Sequence, residues 1–347
     1  MKTYRVAIVG LGRMASTIDE EVVGYPSIIL PYSIAASCDA SDRLEVVAGC
    51  DLLQEKRDAF RDKWGVTALY EDYLEMMADE KPDMVAICTK GDLHAEMGIA
   101  VAEAGVPILY LEKAMSCSMA EADAVREACE RNGTVFNTGV LRRFDNRYWQ
   151  ARALIEAGEI GEVKAVIHLA GSSLLHGHIH SLDTVSYLLG DPEIDRVRGE
   201  LLPRDLAIKD NRLDKDPSAI YQVLFAGGVE AWTVPAGHWE FEVVGTDGLI
   251  RSRNNGIGWE LRKVGPEAGK RRFVEAAEFP EVDPKSAVVA CLEDLVDAHE
   301  AEKMTLGNVQ VTHRITEACF AVAESHRQGG GWVRAEDVDR ELYIYHV

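Results

Sequence analysis

Short apolar segments alternate with helix-like segments over the first 140 residues. Runs rich in β-branched residues predict strands at residues 4–9, 44–50, 84–88, 108–111 and 134–137. Helical patterns lie between them, at residues 54–64, 72–77, 94–104 and 118–131. The strands are apolar throughout, as in sheets that are covered on both faces. This alternation predicts a parallel sheet with right-handed crossovers.

The pattern changes after residue 143. Helices are predicted at 148–156 and 181–189, with a strand at 163–170 between them. From residue 194 to 264 most segments resemble strands joined by glycine-rich turns, at 219–225, 229–234, 241–244 and 249–251. Helices at 286–301 and 309–327 close the chain, and such helices often pack back on the first domain. We therefore expect an α/β protein with a domain at 1–140 and a second, mainly antiparallel domain at 141–347.

Composition excludes several classes of protein. The 347 residues carry a net charge of −21, which repels phosphate backbones and argues against nucleic-acid binding. The seven cysteines form no CxxC pair, so we expect reduced thiols, with Cys117 the least buried. No apolar run approaches about 20 residues, and no signal peptide precedes the first strand. We expect a cytoplasmic protein with no membrane partner.

The first candidate site is a glycine-rich turn directly after the first strand. Residues Gly10 to Ala15 read G-x-G-x-x-A, a pattern that lets a pyrophosphate approach the backbone at the start of a helix. The next strand leads into Asp51, whose carboxylate suits both hydroxyls of an adenosine ribose and repels a 2′-phosphate. We therefore expect NAD rather than NADP. The residues expected to bind it here are Gly10, Gly12, Arg13, Met14 and Asp51.

The spacing within this motif is unusual. Ala15 and Asp51 are 36 residues apart, against about 20 in the usual pattern. The extra segment, residues 18–32, begins with acidic residues, and a helix is predicted only from near Ser33. Three roles stay open for this insertion: covering the cofactor, forming a subunit interface, or a surface excursion without function.

A charged pair, Glu112-Lys113, follows the strand at 108–111. The carboxyl ends of parallel strands face the ligand crevice, so Lys113 is placed where chemistry occurs. Its ammonium can hydrogen-bond a substrate hydroxyl and stabilise the alkoxide, or take part in proton transfer. A surface lysine that happens to follow a strand is an equally good interpretation of its position alone.

Three alternating histidines, His176, His178 and His180, precede a predicted helix. His180 and Asp183 would share one helix face, and an imidazole beside a carboxylate is a suitable general base near neutral pH. Alternating histidines also occur in metal sites. This run, however, enters a helix, and no carboxylate or cysteine shares its spacing. We expect no metal, and we expect His178 to be a polar loop residue.

Together these segments resemble the Gfo/Idh/MocA oxidoreductases, named for glucose-fructose oxidoreductase, inositol dehydrogenase and the rhizopine catabolism protein. Counterparts of the family's T-P-N-x-x-H and A-G-K-H-V-x-x-E-K-P motifs lie at residues 89–94 and 104–114. The segments R-R-F-D and G-x-I-G-x-V follow at 142–145 and 158–163. The D-x-x-x-H-x-x-D region aligns with 176–183, and the G-T-x-G-x-L/I turn with 245–250. Their order and spacing carry the resemblance, which covers nearly the whole chain.

The resemblance implies a Rossmann domain, an α/β domain with a large open sheet that often forms a homodimer or homotetramer, and hydride transfer on sugars or cyclitols. By position, Lys113 and His180 match the catalytic lysine and histidine. Glu112 would lie near the nicotinamide ribose, and His94 near the boundary between cofactor and substrate. The remaining candidates are Thr89 and Lys113 for the cofactor, Arg143, His176 and Asp183 for the substrate, and His176 for catalysis.

Three positions depart from the family pattern. Ala114 replaces the proline after the lysine, Lys90 replaces an asparagine, and His176 replaces an aspartate four residues before His180. In the family that aspartate helps to bind the substrate hydroxyls or to orient the base. Its replacement keeps open an NAD-dependent, redox-neutral cleavage of glycosides, and an NAD-binding sensor without turnover is a further alternative.

The leading hypothesis is an NAD-dependent dehydrogenase acting on a sugar, sugar acid or cyclitol. His180 accepts the hydroxyl proton, Lys113 stabilises the developing oxyanion, and a hydride moves from carbon to nicotinamide. Aromatic residues of the second domain either line the sugar site or pack in the sheet core, and the sequence does not decide between these. The candidates are Trp232, His238 and Trp239.

Overall fold

A computed structural model describes residues 2–265 and 272–346. The chain divides into two compact units. One comprises Met1–Phe144, Lys285–His313 and Tyr345–Val347, and the other comprises Asp145–Pro284 and Arg314–Ile344. The first unit is therefore assembled from three separate stretches of the chain.

The first unit contains a six-stranded sheet. Its strands are β1 (Tyr4–Val9), β2 (Leu44–Cys50), β3 (Ala68–Tyr70), β4 (Met84–Ile87), β5 (Ile108–Leu111) and β6 (Val135–Thr138). All neighbours are parallel, in the order β3-β2-β1-β4-β5-β6. The predicted Rossmann sheet is confirmed. The order reverses between β1 and β4, the switch point where doubly wound sheets bind ligands.

Helices cover this sheet. They are α1 (Ile18–Val22), α2 (Ile34–Asp39), α3 (Gln54–Trp64), α4 (Tyr73–Glu80), α5 (His94–Glu103) and α6 (Met119–Asn132). The first crossover is broken: a π-helical turn at Arg13–Thr17 continues into α1, and the chain leaves the helix before re-entering at α2. Ser33 caps α2 by accepting the N–H of Ala36 at 3.3 Å, as the predicted start near Ser33 requires.

The insertion is closed by one carboxylate. Asp19 accepts the backbone N–H groups of Tyr32 at 2.7 Å and Ser33 at 2.9 Å. Burial alone would raise the pKa of Asp19, but these hydrogen bonds lower it. The other two acids of α1 form ion pairs, Glu20 with Lys63 and Glu21 with Arg13. The acidity of this segment therefore serves contacts within the unit.

The second unit is built on an eight-stranded sheet. The helices of this unit include α7 (Asn146–Glu156) and α8 (Ile179–Leu188). Its strands are β7 (Val163–Ala170), β8 (Ile194–Leu202), β10 (Ser218–Phe225), β11 (Glu230–Val234), β12 (His238–Gly245), β13 (Gly248–Arg253), β14 (Gly258–Val264) and β15 (Val274–Ala277), and a short β9 (Arg212–Leu213) pairs with β16 (Tyr343–Ile344). Within the described residues, every pair of the large sheet is antiparallel except β7 with β11. The predicted mainly antiparallel sheet is confirmed.

Two late helices follow, α9 (Ala287–Glu300) and α10 (Val309–Arg327). Helix α9 belongs to the first unit and buries Val288, Leu292 and Leu295 in the same apolar core as Ile8 and Ile108. The area removed from water by such side chains stabilises the sheet's packing against α9. Among the described residues no helix combines the length and apolarity that a membrane crossing needs.

The prediction for Cys117 is wrong. This side chain is fully buried, and Cys88 is the partly exposed cysteine instead. Cys88 follows β4 directly, at the edge of the sheet where a ligand approaches, so it is open on one side. Burial nevertheless raises the pKa of its thiol well above the usual range, which keeps it protonated and unreactive.

Candidate active site

A cleft of about 950 Å³ opens at the carboxyl edge of the first sheet, around the ends of β1, β2 and β4. Of the predicted cofactor residues, Gly10, Gly12, Arg13, Asp51 and Thr89 line it. Met14, His94, Glu112 and Lys113 are not among its lining residues. Met14 lies in the π-helical turn. Glu112 and Lys113 follow β5, and His94 begins α5 and contacts that segment, as described below.

The glycine-rich turn fits a dinucleotide. Gly10 has φ +84°, and a Cβ there would lie 2.9 Å from the carbonyl carbon and oxygen of Cys88. A side chain is therefore excluded, and the turn stays close to β4. At Gly12 the nearest atom to such a Cβ would be the flexible Lys56 ammonium, at 3.4 Å. The backbone at Gly12 is thus open to the cleft, as binding of a pyrophosphate requires.

Asp51 is held in place at the end of β2. Its Oδ2 accepts the N–H of Leu11 at 2.9 Å, and its Oδ1 accepts the N–H of Leu53 at 3.0 Å. Each carboxylate oxygen retains capacity for a further hydrogen bond, so two ribose hydroxyls can be accommodated. Lys56 lies 3.8 Å from Oδ2. The sequence interpretation missed this cation, although its place in the first turn of α3, five residues after Asp51, is a usable signal.

The segment 112–114 follows β5 and carries the predicted catalytic lysine. Glu112 is buried, and its carboxylate accepts the Tyr110 hydroxyl at 2.5 Å and the backbone N–H of Lys113 at 3.2 Å. A Cβ at Gly139 would come within 2.7 Å of both Glu112 oxygens, so glycine is required there. Glu112 therefore anchors the lysine's backbone from inside the sheet. The peptide bond between Lys113 and Ala114 is cis.

Two imidazoles flank this same segment. Nδ1 of His94 lies 2.7 Å from the Ala114 carbonyl oxygen, and Nε2 of His346 lies 3.4 Å from the Lys113 carbonyl oxygen. Burial lowers the pKa of His94, so its ring is neutral at neutral pH and donates one N–H. His94 thus fixes the backbone after Lys113. The role of His346, near the end of the chain, had no signal in the sequence.

In the second unit, the predicted histidine cluster forms a tight turn entering α8. His176 and His178 lie in a π-helical turn, Leu174–His178, and His180 lies in the first turn of α8. His176 is exposed and His180 is partly exposed. The helix begins earlier than predicted, so His180 and Asp183 both lie in it, as the shared helix face requires.

The prediction that His178 is a polar loop residue is wrong. His178 is fully buried, with its Nδ1 3.4 Å from the Tyr221 hydroxyl and the two rings edge to face. Burial lowers its pKa to about 4, although the charge of Asp216 opposes this. The π-helical turn directs His178 inward between its two more exposed neighbours, which a simple alternation of polar residues does not reveal.

Asp216 is a residue that the sequence interpretation missed. Its Oδ1 accepts the N–H of Leu175 at 2.9 Å, and its Oδ2 accepts the N–H of His176 at 2.7 Å. Next to it, the Pro217 carbonyl accepts the N–H of Leu174 at 2.7 Å. The segment before β10 therefore holds the histidine turn by its backbone. In the sequence it belongs to an ordinary polar run, D-K-D-P, with no feature that sets it apart.

Two predicted substrate residues lie in buried positions. Arg143 is fully buried and donates to the Leu306 carbonyl at 2.6 Å within the first unit. Asp183 is 2% exposed in α8. Contact of either side chain with a substrate stays a prediction.

Comparison with known proteins agrees with this picture. Residues 4–140 match the Gfo/Idh/MocA family, described as an oxidoreductase family with an NAD-binding Rossmann fold. The chain is 30% identical over 266 residues to scyllo-inositol 2-dehydrogenase (NAD(+)) of Bacillus subtilis, covering 71% of this chain and 72% of that protein. It is 26% identical over 207 residues to myo-inositol 2-dehydrogenase of Thermotoga maritima, covering 56% and 57%.

A solved structure shares the fold across nearly the full chain. The aldose-aldose oxidoreductase from Caulobacter crescentus, complexed with glycerol, superposes with a TM-score of 0.78 at 21% identity, covering 96% of this chain and 100% of that one. The sheet order, the glycine-rich cleft and these relationships define an oxidoreductase that binds NAD. The chain belongs to the Gfo/Idh/MocA family, and the resemblance drawn from its motifs is confirmed.

Proposed function

We propose that this protein is an NAD-dependent dehydrogenase that oxidises a hydroxyl group of a cyclitol, sugar or sugar acid. The observation that carries the proposal is the anchoring of Lys113 at the carboxyl end of β5, where its backbone is held by buried Glu112 and flanked by His94. A lysine whose backbone is held at this edge of an NAD-binding sheet suits an oxygen that becomes negative during oxidation. The names of the relatives, two inositol 2-dehydrogenases among them, support a polyol substrate.

Bound NAD supplies a nicotinamide ring that accepts a hydride from the substrate carbon. In the proposed mechanism His180 takes the hydroxyl proton, because an imidazole is the side chain best suited to that step near neutral pH. Lys113 donates a hydrogen bond to the same oxygen and stabilises its developing charge. Asp51 would hold the hydroxyls of the adenosine ribose, and the backbone of the glycine-rich turn would hold the pyrophosphate.

The test measures NADH formation on a panel of inositols, aldoses and sugar acids. Lys113→Ala and His180→Ala should each lower kcat by about 10²- to 10⁴-fold, the range for a lost acid–base or charge-stabilising group. NADH binding, followed by fluorescence, should persist in His180→Ala. Lys81→Ala, at an exposed position beyond α4, is the matched control and should keep wild-type turnover.

Two results would replace the proposal. Release of an aryl group from a glycoside without net NADH would favour the redox-neutral cleavage, since oxidation and re-reduction then cancel. NAD binding without turnover of any substrate would favour the sensor. Turnover that survives both substitutions would remove Lys113 and His180 from the mechanism.

A further inference from the structure

Trp239 has an unusual backbone conformation. Its φ is +57°, in the left-handed region that bulky residues almost never adopt. Such outliers persist only where surrounding contacts impose them, and they cluster at functional sites. The contacts that impose this conformation on Trp239 therefore indicate the role of its side chain.

A β-bulge imposes this conformation. Where β12 pairs with β7, His238 lies opposite Ala170 and Glu240 opposite Leu169, which leaves Trp239 as the extra residue. Bulges re-aim a side chain that would otherwise follow the strand's alternation. The bulge is fixed on both sides: Asn255 donates its N–H to the His238 carbonyl at 2.9 Å, and Glu240 pairs with Arg251 at 2.5 Å.

The bulge brings the indole of Trp239 next to the histidine turn. Its ring centroid lies 6.3 Å from that of His180, with the two planes at 84°. Beneath it, His168 of β7 lies 5.8 Å away. A Cβ at Gly177 would overlap the Ser172 side chain and would lie 3.1 Å from the indole, so glycine is required here by Ser172 and the turn lies close to the ring. The indole is only partly buried.

We propose that Trp239 is an aromatic platform for a ring-shaped polyol, either a cyclitol or a pyranose, which it positions beside His180. One face of such a ring consists of C–H groups and packs on an aromatic face, while its hydroxyls point to the rim. An open-chain polyol has no flat apolar face and gains less. This inference rests on the proposed role of His180 as the base, and it narrows the substrate class.

Trp232 provides the matched comparison. It lies on β11, pairs in register with Ile167 and Gln222, and is 39% exposed. It has no bulge, so its direction follows the regular alternation of the strand. Trp232→Ala removes one tryptophan, as Trp239→Gly does, but it leaves the Trp239 indole beside the histidine turn in place.

The experiment measures ligand binding to the NADH-loaded protein by calorimetry, using myo-inositol, methyl glucoside and open-chain sorbitol. Trp239→Gly accommodates φ +57° and removes the ring, and should raise the Kd of the two cyclic ligands about tenfold. Trp239→Phe keeps an aromatic face and should stay within about threefold of wild type. Sorbitol binding, NADH binding and the circular dichroism spectrum should not change, and Trp232→Ala should behave as wild type.

Three results would overturn the platform. The first is an unchanged Kd of the cyclic ligands in Trp239→Gly. The second is an equal loss of affinity for sorbitol and for the cyclic ligands. The third is a wild-type protein that binds no cyclic ligand. If Trp239→Gly does not fold, Trp239→Leu decides, because it keeps apolar volume without a ring face. Tight binding of cyclic ligands without their oxidation would contradict the proposed dehydrogenase and leave the platform standing.

Discussion

The carboxylate of Asp216 accepts the backbone N–H of His176 at 2.7 Å. The family resemblance implies an aspartate at the position of His176, and here the carboxylate that contacts this turn comes from the segment before β10. The contact is to the backbone, which means that Asp216 orients the turn leading to His180 through its main chain.

Replacing this carboxylate should impair catalysis. Asp216→Ala removes two charge-assisted hydrogen bonds, to Leu175 and His176, each worth about 1.5–3 kcal/mol. We expect kcat/KM to fall by about ten- to a hundredfold with NADH affinity unchanged, because the cofactor cleft is built by other residues. Asp216→Asn keeps one acceptor oxygen and should lose less. Steady-state kinetics measure kcat/KM, and fluorescence titration measures the NADH affinity of each variant.

The control is Asp214→Ala, two residues earlier, where the carboxylate is 85% exposed and pairs with Arg212. It should keep wild-type kinetics. Equal losses in the two variants would mean that overall negative charge, and not the contact with the turn, is what matters.

Stability should decrease in acid because of His178. Burial lowers its folded-state pKa to about 4, below the value of about 6.5 in an unfolded chain. The unfolded state therefore takes up the proton first as the pH falls from 6.5 towards 4. The free energy of unfolding should drop by up to about 3 kcal/mol across that window and be unaffected by this group above it. Urea denaturation between about pH 7 and about pH 4.5 measures the drop.

His178→Gln isolates this contribution, since carboxylates also titrate in the window. Its unfolding free energy should depend less steeply on pH than that of the wild type. Parallel pH dependences for the two proteins would show that His178 is not held neutral by burial.

Cofactor preference should depend on the pairing of Asp51 with Lys56, whose charged groups are 3.8 Å apart. Asp51→Asn removes the repulsion of a 2′-phosphate and releases Lys56 to bind it. We expect the KM for NAD to rise about tenfold and the KM for NADP to fall. Initial rates measured at varied concentrations of each cofactor give the two KM values.

Lys56→Ala provides the second half of this cycle. In the wild-type background it should change NAD use little, because the Lys56 side chain is 44% exposed. In the Asp51→Asn background it should abolish the gain for NADP. A gain that survives without Lys56 would assign the preference to Asp51 alone.

The substitution His346→Ala should compensate for the destabilising substitution Gly91→Ala. A Cβ at Gly91 would lie 2.4 Å from Cδ2 of His346, so Gly91→Ala must displace this ring from the Lys113 carbonyl. Overpacking of this kind costs about 1–3 kcal/mol, and we expect both the melting temperature and kcat to fall. Adding His346→Ala removes the obstacle and should restore most of the stability. A double-mutant cycle measures the coupling, and additive effects would contradict the contact.

Continuous apolar runs made the first sheet predictable. Strands β1, β2 and β5 were placed to the residue, because burial on both faces leaves few polar interruptions. Strand β3 has three residues, too few for any period. Strand β8 reads I-D-R-V-R-G-E-L-L, and consecutive charged residues interrupt the alternation of apolar and polar positions. It pairs with β10 alone in the large sheet, which is consistent with an edge strand.

The site was less predictable than the sheet. Motif position singles out Lys113 and Asp51 as candidates, because the chemistry of a parallel sheet lies where its strands end, and their roles stay predictions. Asp216 and His346 reach their contacts across 40 and 233 residues of sequence, and nothing local marks such partners. The bulge at Trp239 and the burial of His178 arise from irregular backbone, which periodicity arguments do not capture.

Because α9 belongs to the first unit, that unit cannot finish folding before much of the second unit has been synthesised. Residues 1–144 leave the ribosome first, yet the apolar surface that Val288 and Leu292 cover stays open until α9 has been translated. By then all of residues 145–284 have emerged. The first unit can therefore be completed only after residues 145–284 have been synthesised, so a nascent chain must keep this apolar surface from aggregating in the meantime.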